Sequence, residues 1–100
     1  MSKIKIDVPF EGFEGPIQGE DNGVSMTLKS MVVKASIIGN PNEVDGEAKY
    51  KVYKVGQKFV EAEEEVELSA EEIVLIKKLI ANVYPSPMVI GIAYDMLEGK

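Results

Sequence analysis

The sequence predicts an α+β, mainly α single domain over residues 1–100: an N-terminal β-hairpin region over 1–23, then three to four helices over 27–99 that end in an αα-hairpin. Three observations predict it. Ile4, Ile6 and Val8 alternate with Lys3, Lys5 and Asp7, the period-two pattern of a strand with one buried face. Ser69 is followed three residues later by Glu72, a reciprocal capping box, after which Ile73, Ile76, Ile80 and Val83 recur at helical spacing with Leu79 beside them. Tyr84-Pro85-Ser86-Pro87 then breaks that helix, and Ser86 with Pro87 at the first helical position opens another, closed by Gly99.

Pro9 ends the first strand. Gly12, Gly15-Pro16, Gly19 and Asp21-Asn22-Gly23 follow closely, which makes this stretch turn-rich, with room for one short returning strand near Pro16 to Gln18; hence the hairpin. Thr27 has the chemistry of an N-cap, and Leu28, Met31, Val32, Ala35 and Ile38 follow at steps of three and four until Gly39-Asn40-Pro41. A helix of about three turns fits. Val32, Val33, Ile37 and Ile38 are β-branched and give a strand some force, but their alternation is poor.

From Val44 to Ala62 two readings compete. A helix places Ala48, Val52, Val55 and Phe59 on one stripe and Lys51, Lys54 and Lys58 on another, and sets Glu47 four residues before Lys51. A strand suits Lys49-Tyr50-Lys51-Val52, but Tyr53 breaks the phase. The helix is preferred, although Gly56 inside it costs about 1 kcal/mol relative to Ala. Glu61, Glu63, Glu64, Glu65 and Glu67 then read as an exposed connection to the Ser69 helix. The expected core is Ile4, Ile6, Leu28, Val32, Val52, Phe59, Ile73, Ile76, Ile80 and Ile92.

Composition excludes much chemistry. There is no His, Cys, Trp or Arg. Zinc fingers, blue-copper centres, Ser-His-Asp triads and Cys-His dyads cannot be built from what remains. All eleven positive charges are lysines, so no guanidinium fork reads a phosphate or a guanine edge, and a net charge of −6 opposes a polyanion at long range. No direct nucleic-acid binding is expected. No cofactor is expected either, since neither a phosphate-binding loop nor a dinucleotide fingerprint is present. No apolar run reaches the ~20 residues of a membrane helix, and Met1-Ser2-Lys3 leads into alternation rather than a signal sequence, so the expectation is a cytoplasmic protein with no membrane partner.

Few residues stand out as candidates for function. The glutamates Glu61, Glu63, Glu64, Glu65 and Glu67 lack the alternating ligand pattern of an EF-hand, which favours a solvated acidic face over a metal site. Lys49, Lys51, Lys54 and Lys58, interleaved with Tyr50 and Tyr53, look like the outer face of an amphipathic helix with tyrosines at the core boundary. Asp95 and Glu98 are not distinguishable from surface carboxylates. The last helix carries Met88, Val89, Ile90, Ile92, Ala93, Tyr94, Met96 and Leu97 around nearly its whole circumference. Such a helix must be covered on most sides, either centrally or by a partner, with Gly91 allowing close approach.

The run Leu68-Ser69-Ala70-Glu71-Glu72, then Leu75-Ile76-Lys77-Lys78, Tyr84-Pro85, Gly91 and Ala93-Tyr94-Asp95-Met96-Leu97-Glu98, resembles the C-terminal portion of small uncharacterised proteins of tailed bacteriophages and prophages. The short N-terminal hairpin and the Thr27-Leu28-Lys29 helix start resemble them too, while Ser86-Pro87-Met88 departs from their more uniform apolar segment. The resemblance implies a phage-encoded accessory or assembly protein rather than an enzyme, and it supplies no catalytic residues. The expected function is a small acidic interaction protein that binds and inhibits or modulates a host protein, such as a nucleic-acid-handling defence complex. The alternative is a virion or tail-assembly component acting by self-association, as a homo-oligomer or with another phage structural protein. The expected partner-binding residues are Glu61, Glu63, Glu64, Glu65 and Glu67 as an electrostatic face and Met88, Ile92, Tyr94 and Met96 as an apolar one.

Overall fold

The computed structural model describes residues 2–17 and 25–99. Short strands β1 (Ser2–Lys5), β2 (Glu11–Gly12) and β3 (Gly15–Pro16) precede helices α1 (Leu28–Ile38) and α2 (Gly46–Glu61); strand β4 (Glu65–Leu68) then leads into α3 (Ala70–Val83) and α4 (Pro87–Leu97). This is the mainly helical α+β fold expected, with four helices among the described residues and a closing αα-hairpin.

The first strand, however, does not pair within an N-terminal hairpin. β1 runs antiparallel to β4, with Lys3 opposite Glu67, Ile4 opposite Val66 and Lys5 opposite Glu65. The Ile6 amide extends the pairing by donating to the Glu64 carbonyl at 2.9 Å. The expected acidic connection is therefore partly a strand, for a reason visible in its side chains. Glu65-Val66-Glu67-Leu68 alternates, so Val66 and Leu68 enter the core while the glutamates face outward. The hairpin that does form is smaller, β2 with β3, turning at Phe13-Glu14 with Gly15 at φ +114°, a conformation that L side chains rarely adopt. Of the expected returning strand only Pro16 lies in β3, and Ile17 follows it; Gln18, Gly19 and Asp21-Asn22-Gly23 lie outside the described residues. Val8 is exposed rather than buried, because the strand ends at Lys5 and the chain bends before Pro9.

Each helix begins at a cap. The Thr27 hydroxyl accepts from the Ser30 amide while Ser30 Oγ accepts from the Thr27 amide, and Ser69 and Glu72 make the same reciprocal pair. Asp45 caps α2, its side chain accepting from the Glu47 amide, and Ser86 caps α4 with Pro87 behind it. Gly99 follows α4 at φ +79°, the left-handed conformation that ends many helices.

One core joins these elements. Phe10, Phe59, Ile6, Leu28, Met31, Leu68, Ile76 and Ile80 are all fully buried, and no polar or charged side chain among the described residues is. Val52, Ile73 and Ile92, expected in that core, are only half-buried against it, whereas Phe10 and Leu68 are central. Ile38, assigned to the buried stripe of α1, is 55% exposed, because the helix ends there. α4 lies against β1, β2 and α3, and buries the single stripe Val89, Ala93 and Leu97. It is thus a covering helix and not a central one.

Gly56 sets the approach of α2 to α1. A Cβ at Gly56 would stand 2.8 Å from both Cβ and Oγ of Ser36. Propensity favours Gly56→Ala by about 1 kcal/mol, but overpacking against a helix-borne Cβ costs about 1–3 kcal/mol, so the contact wins. Gly56→Ala should lower the denaturation midpoint, and Ser36→Gly in the same chain should recover more stability than additive single effects allow; additive behaviour in urea melts would refute the close crossing. Ile76 has no accessible surface. Ile76→Asp should abolish the cooperative unfolding transition followed by circular dichroism, since an unpaired carboxylate would be buried.

Candidate functional site

The acidic residues form one continuous edge. Glu61 is the last residue of α2, Glu63 and Glu64 occupy the turn after it, and Glu65 and Glu67 stand on the outer face of β4; all five are exposed. Among the described residues none of them is in an ion pair, and no three acidic side chains converge as a metal ion would need. Lysines nevertheless interleave with this edge. Lys3 and Lys5 are the register partners of Glu67 and Glu65, while Lys29 Nζ donates to the Ala62 carbonyl at 2.7 Å and Lys58 Nζ to the Glu67 carbonyl at 3.0 Å. The edge is consequently held in a defined shape instead of swinging as a linker.

Lys58 is the centre of this arrangement. Its ammonium also donates to both oxygens of Glu72, at 3.0 and 2.9 Å, so one lysine links α2, β4 and α3. Partial burial pushes the Glu72 carboxyl up, but the Ser69 amide, the Lys58 ammonium and the Ser69 hydroxyl together outweigh it and hold the group below its ordinary value.

The apolar candidates Met88, Ile92, Tyr94 and Met96 are all half-buried on α4: Ile92, Tyr94 and Met96 pack against the chain's own core, while Met88 lies over Gly12 of β2. Met88 Sδ lies 3.3 Å from the Phe13 amide, and the Tyr94 hydroxyl donates to the Lys77 carbonyl at 3.0 Å with Lys77 Nζ 5.2 Å over its ring. Gly91 is exposed and, beyond its two chain neighbours and its own helix backbone, no atom lies within 4 Å of where its Cβ would stand, so no other helix of the described chain uses the close approach it permits. The structure places the glutamates and the apolar set on different elements, β4 with its flanks and α4.

Two features went unread in the sequence. Phe13, at the tip of the β2–β3 turn, is 92% exposed. A cleft of about 820 Å³ also opens where the end of α1 and the following loop meet α2 and α3, with Ile37, Ile38, Ala48, Val52 and Leu79 in its lining. The available signal was the pair Ile37-Ile38 directly before a glycine stop, since adjacent residues at a helix end cannot share one buried stripe. Tyr50 and Tyr53, expected at the core boundary, are 55% and 59% exposed; their rings sit 6.2 Å apart, with Lys54 Nζ 5.7 Å over Tyr50.

Compared with protein-family models, curated proteins and solved structures, the chain matches none.

The depressed Glu72 carboxyl has a consequence for stability. A group whose folded value lies below its unfolded one stabilises the fold fully above the unfolded value, 4.5, and loses that contribution as pH falls through the folded one. Glu72→Gln should therefore cost about 1 kcal/mol near neutral pH, solvent screening of the half-exposed pair included, and the gap to wild type should close in acid. Urea midpoints measured for both proteins across that range test it; a gap independent of pH would show that the carboxylate charge is not what matters.

Proposed function

We infer that this chain is a small phage-type interaction protein that acts in the host cytoplasm by binding and modulating a host protein, without catalysis. The observation that carries this reading is the acidic edge. Five exposed carboxylates, none in an ion pair among the described residues, are fixed by a strand register and by lysine bonds to the backbone. A pre-organised row of negative charge suits a groove lined by lysine or arginine, the kind found on proteins that handle nucleic acid, because association is steered by complementary potential and little ordering is left to be done on binding. The phage origin rests on the resemblance carried by residues 68–98. The absence of His, Cys and Arg from the sequence supports a role without catalysis.

A second reading, assembly through self-association, draws on α4. Ile90, Ile92, Tyr94 and Met96 keep part of their surface accessible beside the buried Val89, Ala93 and Leu97. Light scattering after size exclusion at several concentrations separates the two, since assembly requires a concentration-dependent oligomer and a strict monomer counts against it.

For the first reading, affinity capture from bacterial lysate should retain a basic host protein at about 0.05 M salt and release it at about 0.5 M, where exposed charges are screened within a few ångströms. The triple variant Glu63→Lys, Glu64→Lys, Glu65→Lys should lose it at both. Retention indifferent to ionic strength and to charge reversal would remove the acidic-edge mechanism.

A further inference from the structure

The cleft beside Ile37 and Ile38 continues along the seam between α2 and α3. A second depression of about 470 Å³, between Lys51 and Lys54 of α2 and Val74 of α3, shares Leu75 and Lys78 with the first. Joined at those residues, the two depressions follow α2 from Ala48 to Val55, about 11 Å or two turns of helix at 1.5 Å per residue, and the first also reaches the end of α1.

Its floor and its rim differ in chemistry. Val52, Leu75 and Leu79 give an apolar floor, and Ile37 at the end of α1 is 79% exposed beside it. The rim carries Lys49, Lys51, Lys54 and Lys78, all exposed, and among the described residues none of these lysines is in an ion pair. Three carboxylates border the groove. Glu72 is paired with Lys58, which leaves Glu43 and Glu71 as the charges set against the four rim lysines. On a chain of net charge −6 this is a local positive strip around an apolar trough.

We propose that this groove docks an acidic amphipathic helix of another protein, its apolar stripe on Val52, Leu75 and Leu79 and its flanking carboxylates on Lys49, Lys51, Lys54 and Lys78. Helix-in-groove binding uses anchors at i, i+3, i+4 and i+7, a spacing of about two turns that matches this trough. The rim lysines set orientation and rate of encounter, and the floor supplies most of the affinity. A second copy of this chain does not meet the requirement through its acidic edge, because Val66 and Leu68 point into the core and the edge offers carboxylates without an apolar stripe. A nucleic-acid strand would match the lysines but leave the apolar floor unfilled. The proposal stands apart from the acidic-edge mechanism, as it uses different residues and the opposite charge.

The test uses the full chain and a fluorescent designed peptide of about 15 residues, leucines at the anchor spacing and glutamates on both flanks, beside a second peptide with lysines for the glutamates. The acidic peptide should bind at least about tenfold tighter than the basic one, and weaken with salt. It should shift the amide resonances of Ala48, Val52, Leu75 and Leu79. The double variant Lys49→Glu, Lys78→Glu should reverse the preference, a gain of binding that a misfolded protein cannot give. Equal binding of both peptides, no binding of either, a preference that survives the double variant, shifts at other amides, or displacement by an oligothymidylate or by self-association would each overturn it. Reversal of charge at Glu63, Glu64 and Glu65 should leave this binding unchanged, so failure of one surface is distinguishable from failure of the other.

Discussion

The antiparallel pairing of β1 with β4 is the constraint on which the rest of the structure depends. It closes a loop of about sixty residues, an entropic cost that local contacts cannot offset and that only burial of apolar surface can. Ile4, Ile6, Val66 and Leu68 supply that burial at the junction. Register is decisive here, because a slip of one residue would turn Val66 and Leu68 to solvent and drive Glu65 and Glu67 inward. Once the ladder is in place its two ends start the helices. The Lys29 amide donates to the Ile6 carbonyl at 2.9 Å as α1 begins, and Ser69 caps α3 directly after β4.

The helices then pack unequally, and the inequality makes the surface. α1 approaches α2 closely at Ser36 and Gly56, and it also lies against α3. α2 is tied to α3 at one end, where Lys58 meets Glu72 and the Glu67 carbonyl. Farther along the pair, Ala48 and Val52 face Leu75 and Leu79 across a groove that remains open. A tight contact with α1 on one side of α2, and the Lys58 bonds with buried Val55 and Phe59 toward one end of the other, leave that trough open farther along.

Charge is organised on a finer scale than the net value of −6 conveys. The acidic edge at 61–67 has Lys3, Lys5, Lys29 and Lys58 woven through it, while four lysines without ion pairs among the described residues rim the groove. A mean charge predicts long-range steering, but contact chemistry follows the local pattern, and at the groove the two have opposite signs.

By itself the sequence determined what rests on neighbours along the chain. The capping box at Ser69 and Glu72, the Thr27 cap, the Ser86-Pro87 start and the 3.6-residue spacing of Ile76 and Ile80 each act within a turn or two, so helix positions were legible, including the disputed one at Gly46–Glu61. Tertiary structure alone decided which partner β1 takes, that the glutamate run doubles as a strand, that Val52, Ile73 and Ile92 stop half-way to the core, and that a lysine-rimmed groove lies beside Ile37. Alternation at 3–8 says that a strand has a buried face but not which strand lies beside it, and periodicity on α2 and α3 says which residues turn inward but not how far apart the helices stand. Those outcomes come from shape fit between segments distant in the chain, such as Gly56 against Ser36, and no local pattern encodes the distance at which two faces meet.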